Sequence, residues 1–436
     1  MTFNSVALIG AKVATMGLGF VFWIVAARLF APAEVGLAAA VVSAMMLCTQ
    51  LALVGLGSAV IALYPRHQAR PEALLNSAFT IATLVSVISG VLFLLLAAGL
   101  FSELDIVGAE PGYALLFVLA GVLGTLGILF DQVSTALRRG DQVVTRGLLF
   151  GGSALAALTL LAFVTEASGS RAIFVPWVVA GFAAVALGLG QLRRSLGGFR
   201  IRPTLRREPA RELLRTGIPN WALTVSERAP GLVLPVVVIE LLSPAANAAW
   251  YPLWMMAWAL YIVPIQVGMT LFAELAHDPG SLRISMRRGI RSSLLLGGTG
   301  AVVLAVGGEI PLSLLGDGYA AAGIGPLRIL VIAVVPLTFL HVYFATCRAT
   351  GHLGEATATG WGSGVAAVAA AALLAPAFGL MGMATAWLVV QLAAGAWAAA
   401  RLRRLDRRGR VRRDGLRKET AGVLGAAASA ARSGPS

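Results

Sequence analysis

Twelve stretches of roughly 20 or more consecutive, mainly apolar residues fill most of this 436-residue chain. A helix needs ~20 such residues to cross the hydrocarbon core of a bilayer, so each stretch predicts one membrane-spanning helix. A water-soluble protein would expose large apolar patches with this sequence. The stretches are 5–28, 36–64, 76–101, 113–136, 147–165, 172–192, 217–242, 247–274, 292–315, 325–347, 356–376 and 379–400.

Basic residues occur in every second gap between the predicted helices. The gaps after the even-numbered stretches, together with the C-terminal tail, hold 29 of the 34 Lys and Arg residues. The alternate gaps are acidic or almost uncharged, as in the third gap with Glu103, Asp105 and Glu110. Because positively charged loops stay in the cytoplasm, we predict a multi-pass protein of the cytoplasmic membrane with both termini inside.

The longest polar gap divides the chain into two halves of six predicted helices each. It predicts an N-terminal lobe over 1–192, a basic cytoplasmic linker over 193–216 and a C-terminal lobe over 217–400. Six helices per half imply two lobes that enter the membrane in the same direction, as a parallel repeat. The Arg-rich tail, 401–436, is predicted to be disordered or to lie on anionic lipids of the inner leaflet.

Several functions are not favoured by the sequence. The net charge of +14 lies in loops between apolar stretches, which is not the pattern of a nucleic-acid-binding face. No phosphate-binding loop is present, and the cysteines and histidines lack the spacing of metal ligands. We therefore predict no cofactor, no metal site and no enzyme, but a protein that moves a substrate.

Two adjacent charges stand inside the seventh stretch, in ALTVSERAPGLVLP. Glu227 lies ten residues into this helix, which is ~15 Å deep at 1.5 Å per residue, and Arg228 follows it. A charge at this depth costs at least ~2.5–3.5 kcal/mol, so it should face protein or water. Adjacent residues diverge by about 100°, which predicts separate partners. The two charges either line a substrate path or join helices through ion pairs.

Two further basic residues lie at membrane depth near the start of the chain. Lys12 falls within the first stretch, where it could face a substrate path or extend to the cytoplasmic interface. Arg28 closes the same stretch, and it could equally anchor the helix at the interface or pair with Glu34.

Asp131 and His341 are polar residues inside the fourth and tenth stretches. Asp131 is a candidate for the substrate path, with an ion pair to Arg138 as the alternative. His341 is interpreted as a packing group rather than a proton relay.

Three segments resemble motifs of a known transporter group. ARLFAPAEVGLAAAV is similar to the R-x-L-G-P-x-E-F-G-x-[YF] segment of polysaccharide and oligosaccharide-lipid flippases, with departures at Phe30 and Val35. LLGDGYAAAGIGPLRIL resembles the segment that precedes the tenth helix in this group. AAWYPLWMMAWAL is similar to the segment that starts the eighth helix, although Ala249 and Trp250 depart from the pattern. The chain thus resembles the multidrug/oligosaccharidyl-lipid/polysaccharide exporter superfamily. The residues matching the first motif are Arg28, Leu29, Pro32, Glu34 and Gly36.

The resemblance implies an all-α membrane protein whose two six-helix lobes form a V and open alternately to each side. It implies a lipid-linked glycan, such as a polyprenyl-diphosphate sugar, or another amphiphilic anion as substrate. Arg228, Lys12 and Arg28 would then compensate the diphosphate charge, while Glu227 or Asp131 would carry a coupling proton or hold the arginines. Membrane proteins of glycan assembly would be its partners.

Three other functions remain open. A cation-coupled multidrug or metabolite exporter has the same fold, but the excess of basic charge at membrane depth favours an anionic substrate. A lipid II flippase is disfavoured because such proteins often carry two further helices. A membrane-embedded glycan ligase or polymerase would need larger outer loops for its catalytic groups.

Overall fold

The computed structural model describes the backbone of residues 2–164, 168–277 and 281–432, and the side chains of 15–164, 168–275 and 281–405. Throughout these ranges the regular structure is helical. The helices are α1 (Thr2–Leu29), α2 (Pro32–Ala52), α3 (Leu56–Leu63), α4 (Glu72–Leu100), α5 (Asp105–Ala109), α6 (Pro111–Ala136), α7 (Gly140–Val164), α8 (Ser170–Ser195), α9 (Arg207–Leu241), α10 (Pro244–His277), α11 (Leu282–Gly307), α12 (Glu309–Ser313), α13 (Asp317–Ile332), α14 (Val334–Thr350) and α15 (Leu353–Arg432).

Many of these helices are long and apolar enough to cross a membrane. The described residues contain nine such helices, or ten if α13 and α14, bent by 42° at their junction, form one broken span. Gly379, at φ 55° and ψ −145°, interrupts the helical backbone of α15. The chain is therefore a multi-pass membrane protein, while the count of twelve spans and the orientation of the termini stay predictions.

The second apolar stretch, 36–64, forms two helices instead of the single one that its sequence suggests. Val54 (φ 43°) and Gly55 (φ 77°) adopt left-handed backbone conformations between α2 and α3. Val rarely tolerates a positive φ, whereas Gly adopts it freely. Hydropathy is uniform across the break, so composition alone gave no signal for it.

Buried apolar side chains form three clusters, which define how the helices associate. The first is contributed by α9 to α15, and the second mainly by α1, α2 and α5 to α8. The third joins α3, α4, α6 and α8 to the start of α9. We refer to α1–α8 as the first lobe and to α9–α15 as the second lobe. The end of the bundle where residues 196–206 lie is called the linker end, and the opposite one the far end.

The connection between the lobes is anchored to the first lobe. Its extended part lies along α4, where backbone N–H groups donate to polar side chains, and Phe199 is buried in the third cluster. The predicted linker, 193–216, thus includes the last residues of α8 and the first turns of α9. The three bonds run from Arg202 N to Asn76 Oδ1 (3.1 Å), Thr204 N to Thr80 Oγ1 (3.1 Å) and Arg206 N to Ser77 Oγ (3.4 Å).

The first turns of α9 also pack on the first lobe. Leu213 is fully buried in the third cluster, and Glu212 Oε2 lies 3.5 Å from His67 Nε2. At Gly217 the helix touches Gly55 so closely that a Cβ on Gly217 would lie 2.4 Å from the Gly55 carbonyl oxygen. Only glycine permits this approach, so α9 begins in the first lobe and continues into the second.

The tail prediction concerns a region that the structure describes only in part. The assignment of α15 continues to Arg432, but the side chains after residue 405 lie outside the described residues. The prediction of a disordered or lipid-bound tail over 401–436 therefore stays a prediction. The side chain of Lys12 also lies outside the described residues.

Candidate functional site

Glu227 of α9 points into the second lobe, where the side chains of Arg348 and His341 on α14 face it. Its Oε2 accepts a hydrogen bond from Arg348 Nη2 at 3.1 Å, and its Oε1 lies 3.5 Å from His341 Nδ1. The Glu227 side chain is 10% exposed and that of Arg348 is 12% exposed. A carboxylate removed from water to this degree needs such partners, so the three groups form one charge cluster that joins α9 to α14.

A small cavity adjoins this cluster. It encloses about 30 Å³, which is room for one or two water molecules. Gln391 Oε1 and Trp387 Nε1 are buried in its wall without a hydrogen-bond partner among the described residues. These orphan polar atoms and the Glu227 carboxylate give the cavity the lining that an internal water molecule requires.

Arg228 points the other way, toward the first lobe. Its Nη1 donates to the side-chain Oε1 of Gln50 on α2 at 3.2 Å, and the Arg228 side chain is exposed. Trp221 Nε1 fixes the same residue by donating to the Gln50 carbonyl at 3.0 Å. The described residues offer Arg228 no carboxylate within ion-pair distance, so its charge between the lobes is held by a neutral amide.

The first lobe contains its own ion pair, between α6 and α7. Arg146 Nη2 lies 2.7 Å from Asp131 Oδ1, with Arg146 3% exposed and Asp131 39% exposed. Arg146 also donates to Ser134 Oγ at 3.0 Å and to Gln191 Oε1. The partner of Asp131 is thus Arg146 and not Arg138, which lies in a left-handed turn (φ 58°) after α6.

A larger cavity lies beside this pair and reaches the lobe interface. It has a volume of about 270 Å³, and its lining is mostly apolar, with Met45 and Trp177 among the larger side chains. Asp131 and Gln50 contribute polar atoms to its wall. Gln50 therefore lies between this cavity and Arg228, while Asp131 on the cavity wall is paired with Arg146, which also lines it.

Arg28 lies apart from this region, at the far end of the bundle. Its Nε donates to the Leu314 carbonyl at 2.7 Å and its Nη2 to the Ser313 carbonyl at 3.1 Å. It does not pair with Glu34, which instead accepts from the backbone N–H groups of Ala31 (3.0 Å) and Gly169 (2.6 Å). The sequence-predicted site residues therefore fall into separate groups in the structure.

Three members of the polar groups were absent from the sequence-based candidates. Arg348 and Arg146 were counted as loop charges because they stand near helix ends, and Gln50 is an uncharged residue in an apolar stretch. One signal was present, since His341 and Arg348 are seven residues apart and so share a helix face. Nothing in the sequence marked the side on which Gln50 would lie.

Comparison with known proteins identifies the family and the fold of the chain. Residues 2–268 match the profile of a family described as polysaccharide biosynthesis protein. The lipid II flippase MurJ in an inward closed conformation is similar in structure, with a TM-score of 0.71, 12% identity, and 91% of this chain and 87% of that chain covered. No curated protein sequence matches the chain significantly.

Two further structures have the same fold. An inward-facing multidrug resistance MATE family transporter of the MOP superfamily gives a TM-score of 0.68 at 15% identity, covering 90% of this chain and 95% of that chain. A MOP superfamily transporter from Pyrococcus furiosus gives 0.60 at 14% identity, with coverages of 92% and 94%. At these identities the likeness shows the fold, which is that of the MOP-superfamily transporters.

Proposed function

Because the chain belongs to the polysaccharide biosynthesis protein family, we propose that it translocates a lipid-linked oligosaccharide or polysaccharide precursor across the cytoplasmic membrane. Transport would occur by alternating access, in which the two lobes open to one side at a time. Such a carrier must bind its substrate differently in its two states, since a ligand shifts an equilibrium only by its differential affinity.

The unpaired charge of Arg228 is the observation that carries this proposal. Of the two charges in mid-helix, Glu227 has an ion pair with Arg348 and lies beside His341, whereas Arg228 is exposed and, among the described residues, hydrogen-bonded only to an amide. Arg228 therefore places a positive charge at the lobe interface without an ion-pair partner within 4 Å among the described residues. A diphosphate carries the complementary charge, and a guanidinium binds phosphate oxygens through two parallel hydrogen bonds.

The apolar cavity of the first lobe supports the same substrate class. A lipid-linked glycan combines a diphosphate with a long hydrocarbon chain, so its carrier must offer an arginine beside apolar surface. Gln50 lines the apolar cavity of about 270 Å³ and also holds the Arg228 side chain. Diphosphate and lipid could thus be bound side by side.

A cation-coupled multidrug or metabolite exporter is the second candidate. The observation in its favour is the first-lobe cavity, in which Met45, Trp177 and the half-exposed Asp131 could receive an apolar organic cation. Methionine and aromatic side chains suit varied apolar ligands. Arg146, however, already neutralises Asp131 at 2.7 Å, which leaves little negative charge to attract a cation.

Transport by Arg228 variants tests the proposed function. In proteoliposomes containing a labelled undecaprenyl-diphosphate oligosaccharide, wild type should accelerate translocation, and Arg228→Ala should lower the rate about tenfold or more. This magnitude follows from the loss of charged hydrogen bonds, each worth ~1.5–3 kcal/mol. Arg228→Lys should retain part of the activity because it keeps the charge but loses the planar donor geometry.

Arg328→Ala is the matched control. Arg328 is also an exposed arginine within the spans, but it donates Nε to the Ala305 carbonyl at 3.1 Å beside a groove between α11 and α13. Its loss should leave the rate unchanged. Failure of wild type to move any of several glycans, together with efflux of an organic cation, would support the exporter instead.

A further inference from the structure

Arg28 forms a bridge between the lobes at the far end. It is the penultimate residue of α1, the first helix of the first lobe. Its guanidinium donates to the carbonyls of Ser313 and Leu314 in the connection between α11 and α13 of the second lobe. The side chain is exposed, so water can replace these bonds when they break.

Glu240 forms a second bridge, in the opposite direction. It is the penultimate residue of α9, the first helix of the second lobe. Its carboxylate accepts four bonds from the connection between α4 and α6 of the first lobe. The donors are Ser102 N (2.8 Å), Ser102 Oγ (2.8 Å), Glu103 N (3.1 Å) and Leu104 N (3.3 Å).

The two bridges correspond in position. Each starts at the last turn of the first helix of one lobe and ends at a connection of the other lobe that contains a short helix. Glu240 binds the residues just before α5, whereas Arg28 binds the last residue of α12 and the residue after it. They are complementary in chemistry, because Arg28 binds backbone carbonyls and Glu240 binds backbone N–H groups. Such correspondence is expected when two six-helix halves are related by a repeat.

The surface between the two bridges is closed by close contacts. The ring centroids of Trp23 and Tyr251 are 4.8 Å apart across the interface, and Asn247 Nδ2 donates to the Gly36 carbonyl at 2.7 Å. Any opening of the far end must separate these contacts and both bridges together. Within the described residues, the bridges are the only hydrogen bonds of charged side chains that join the lobes at the far end.

We propose that Arg28 and Glu240 are the paired gating residues that hold the far end closed in the state seen here. Most of their bonds link a charged side chain to exposed backbone groups, so they stabilise closure without requiring two buried charges to separate. Both ends of each bond can be hydrated after opening, which keeps the opened state accessible. The gating role rests on the proposed function only in taking alternating access as the mode of transport.

The proposal gives Arg28 a function other than binding substrate. Arg28 and Glu240 are separated from the charge pair in mid-helix, since Glu240 lies twelve residues, or ~18 Å, beyond Arg228 along α9. The role also accounts for Glu34, which binds Ala31 N and Gly169 N and so fixes the turn that follows Arg28.

Accessibility of a buried reporter cysteine tests the proposal without any substrate. With Cys48→Ala and Cys347→Ala as background, Ser43→Cys introduces one thiol at a fully buried position of α2, the helix that packs on α9 and α10. A membrane-impermeant maleimide is added from the far end. Arg28→Ala and Glu240→Ala should each raise the labelling rate about tenfold, the factor expected for losing charged hydrogen bonds, and the double variant should raise it further.

Two variants at the same end serve as controls. Glu103→Ala keeps the backbone N–H that Glu240 binds, and Arg171→Ala removes a half-exposed ion pair with Glu110 inside the first lobe. Neither should change the labelling rate. Unchanged labelling in well-folded Arg28→Ala and Glu240→Ala, or an equal rise in the controls, would overturn the gating role.

A cross-link tests the gate in the opposite way, by holding the far end closed. Ser102→Cys and Glu240→Cys, joined by a short bis-thiosulfonate, should keep the reporter unreactive even beside Arg28→Ala, and a reductant should reverse this. Labelling that persists after cross-linking would contradict the proposal. Because neither readout involves a glycan, the gate can succeed or fail independently of the substrate proposed above.

Discussion

Replacing Arg348 by alanine should lower the free energy of unfolding by about 3–5 kcal/mol, the usual cost of leaving a buried charge without its partner. Arg348 and Glu227 are 12% and 10% exposed and lie 3.1 Å apart. Without the guanidinium, the Glu227 carboxylate would keep only the His341 imidazole, 3.5 Å away, within ion-pair distance among the described residues. Thermal and denaturant unfolding in detergent would measure the change.

A second variant separates the lost ion pair from the lost packing of the arginine. Arg348→Ala combined with Glu227→Gln removes both charges, so most of the stability should return, because the cost lies in the uncompensated carboxylate. Arg146→Ala is a useful comparison, since Asp131 is 39% exposed and can be rehydrated; its effect should be smaller. Equal losses in Arg348→Ala and the double variant would show that packing, not charge, is responsible.

Gly36→Ala should prevent the far end from closing as it does here. A Cβ on Gly36 would lie 1.7 Å from the Pro244 carbonyl oxygen and 2.8 Å from Ala248 N, far below any van der Waals contact distance. Both neighbours are backbone atoms of α10, so α2 and α10 must move apart. The Ser43→Cys reporter should then label about tenfold faster or more from the far end, as overpacking typically costs 1–3 kcal/mol.

Gly298→Ala is the matched control for this substitution. Gly298 lies in α11 and has open space where a Cβ would be placed, so alanine should be neutral or slightly stabilising through its higher helix propensity. Transport by Gly36→Ala should fall because one of the two alternating states is disfavoured. Wild-type labelling and transport in Gly36→Ala would mean that the two helices can shift without opening the far end.

Apolar patterning was sufficient to predict an all-helical membrane protein. A segment of ~20 apolar residues that lies in lipid must satisfy its own backbone hydrogen-bonding groups, which a helix does. The resemblance at Arg28, Leu29, Pro32, Glu34 and Gly36 led to the superfamily, and the fold agrees. The structure adds a physical reason for three of these matches. Arg28 bridges the lobes, and Glu34 fixes the turn that follows α1. Gly36 allows the backbones of α2 and α10 to approach each other closely.

The site itself was harder to predict, because hydropathy records depth along a helix and not the direction of a side chain. Glu227 and Arg228 were expected to have separate partners, but nothing in the sequence identified them as Arg348 and Gln50. Arg348 stands in the last turn of α14 and was therefore counted with the loops. The Arg348 side chain nevertheless points back into the second lobe, because the buried Glu227 carboxylate accepts its hydrogen bond there.

The start of α9 affects how the two lobes can move. Its first turns are fixed to the first lobe through Leu213 and the Gly55–Gly217 contact, and its later turns belong to the core of the second lobe. A rocking motion would thus bend α9 beyond Gly217, where Pro219 already removes one backbone hydrogen bond. Because α9 is packed on both lobes, its resistance to bending, and not the length of the linker, would limit the amplitude of such a motion.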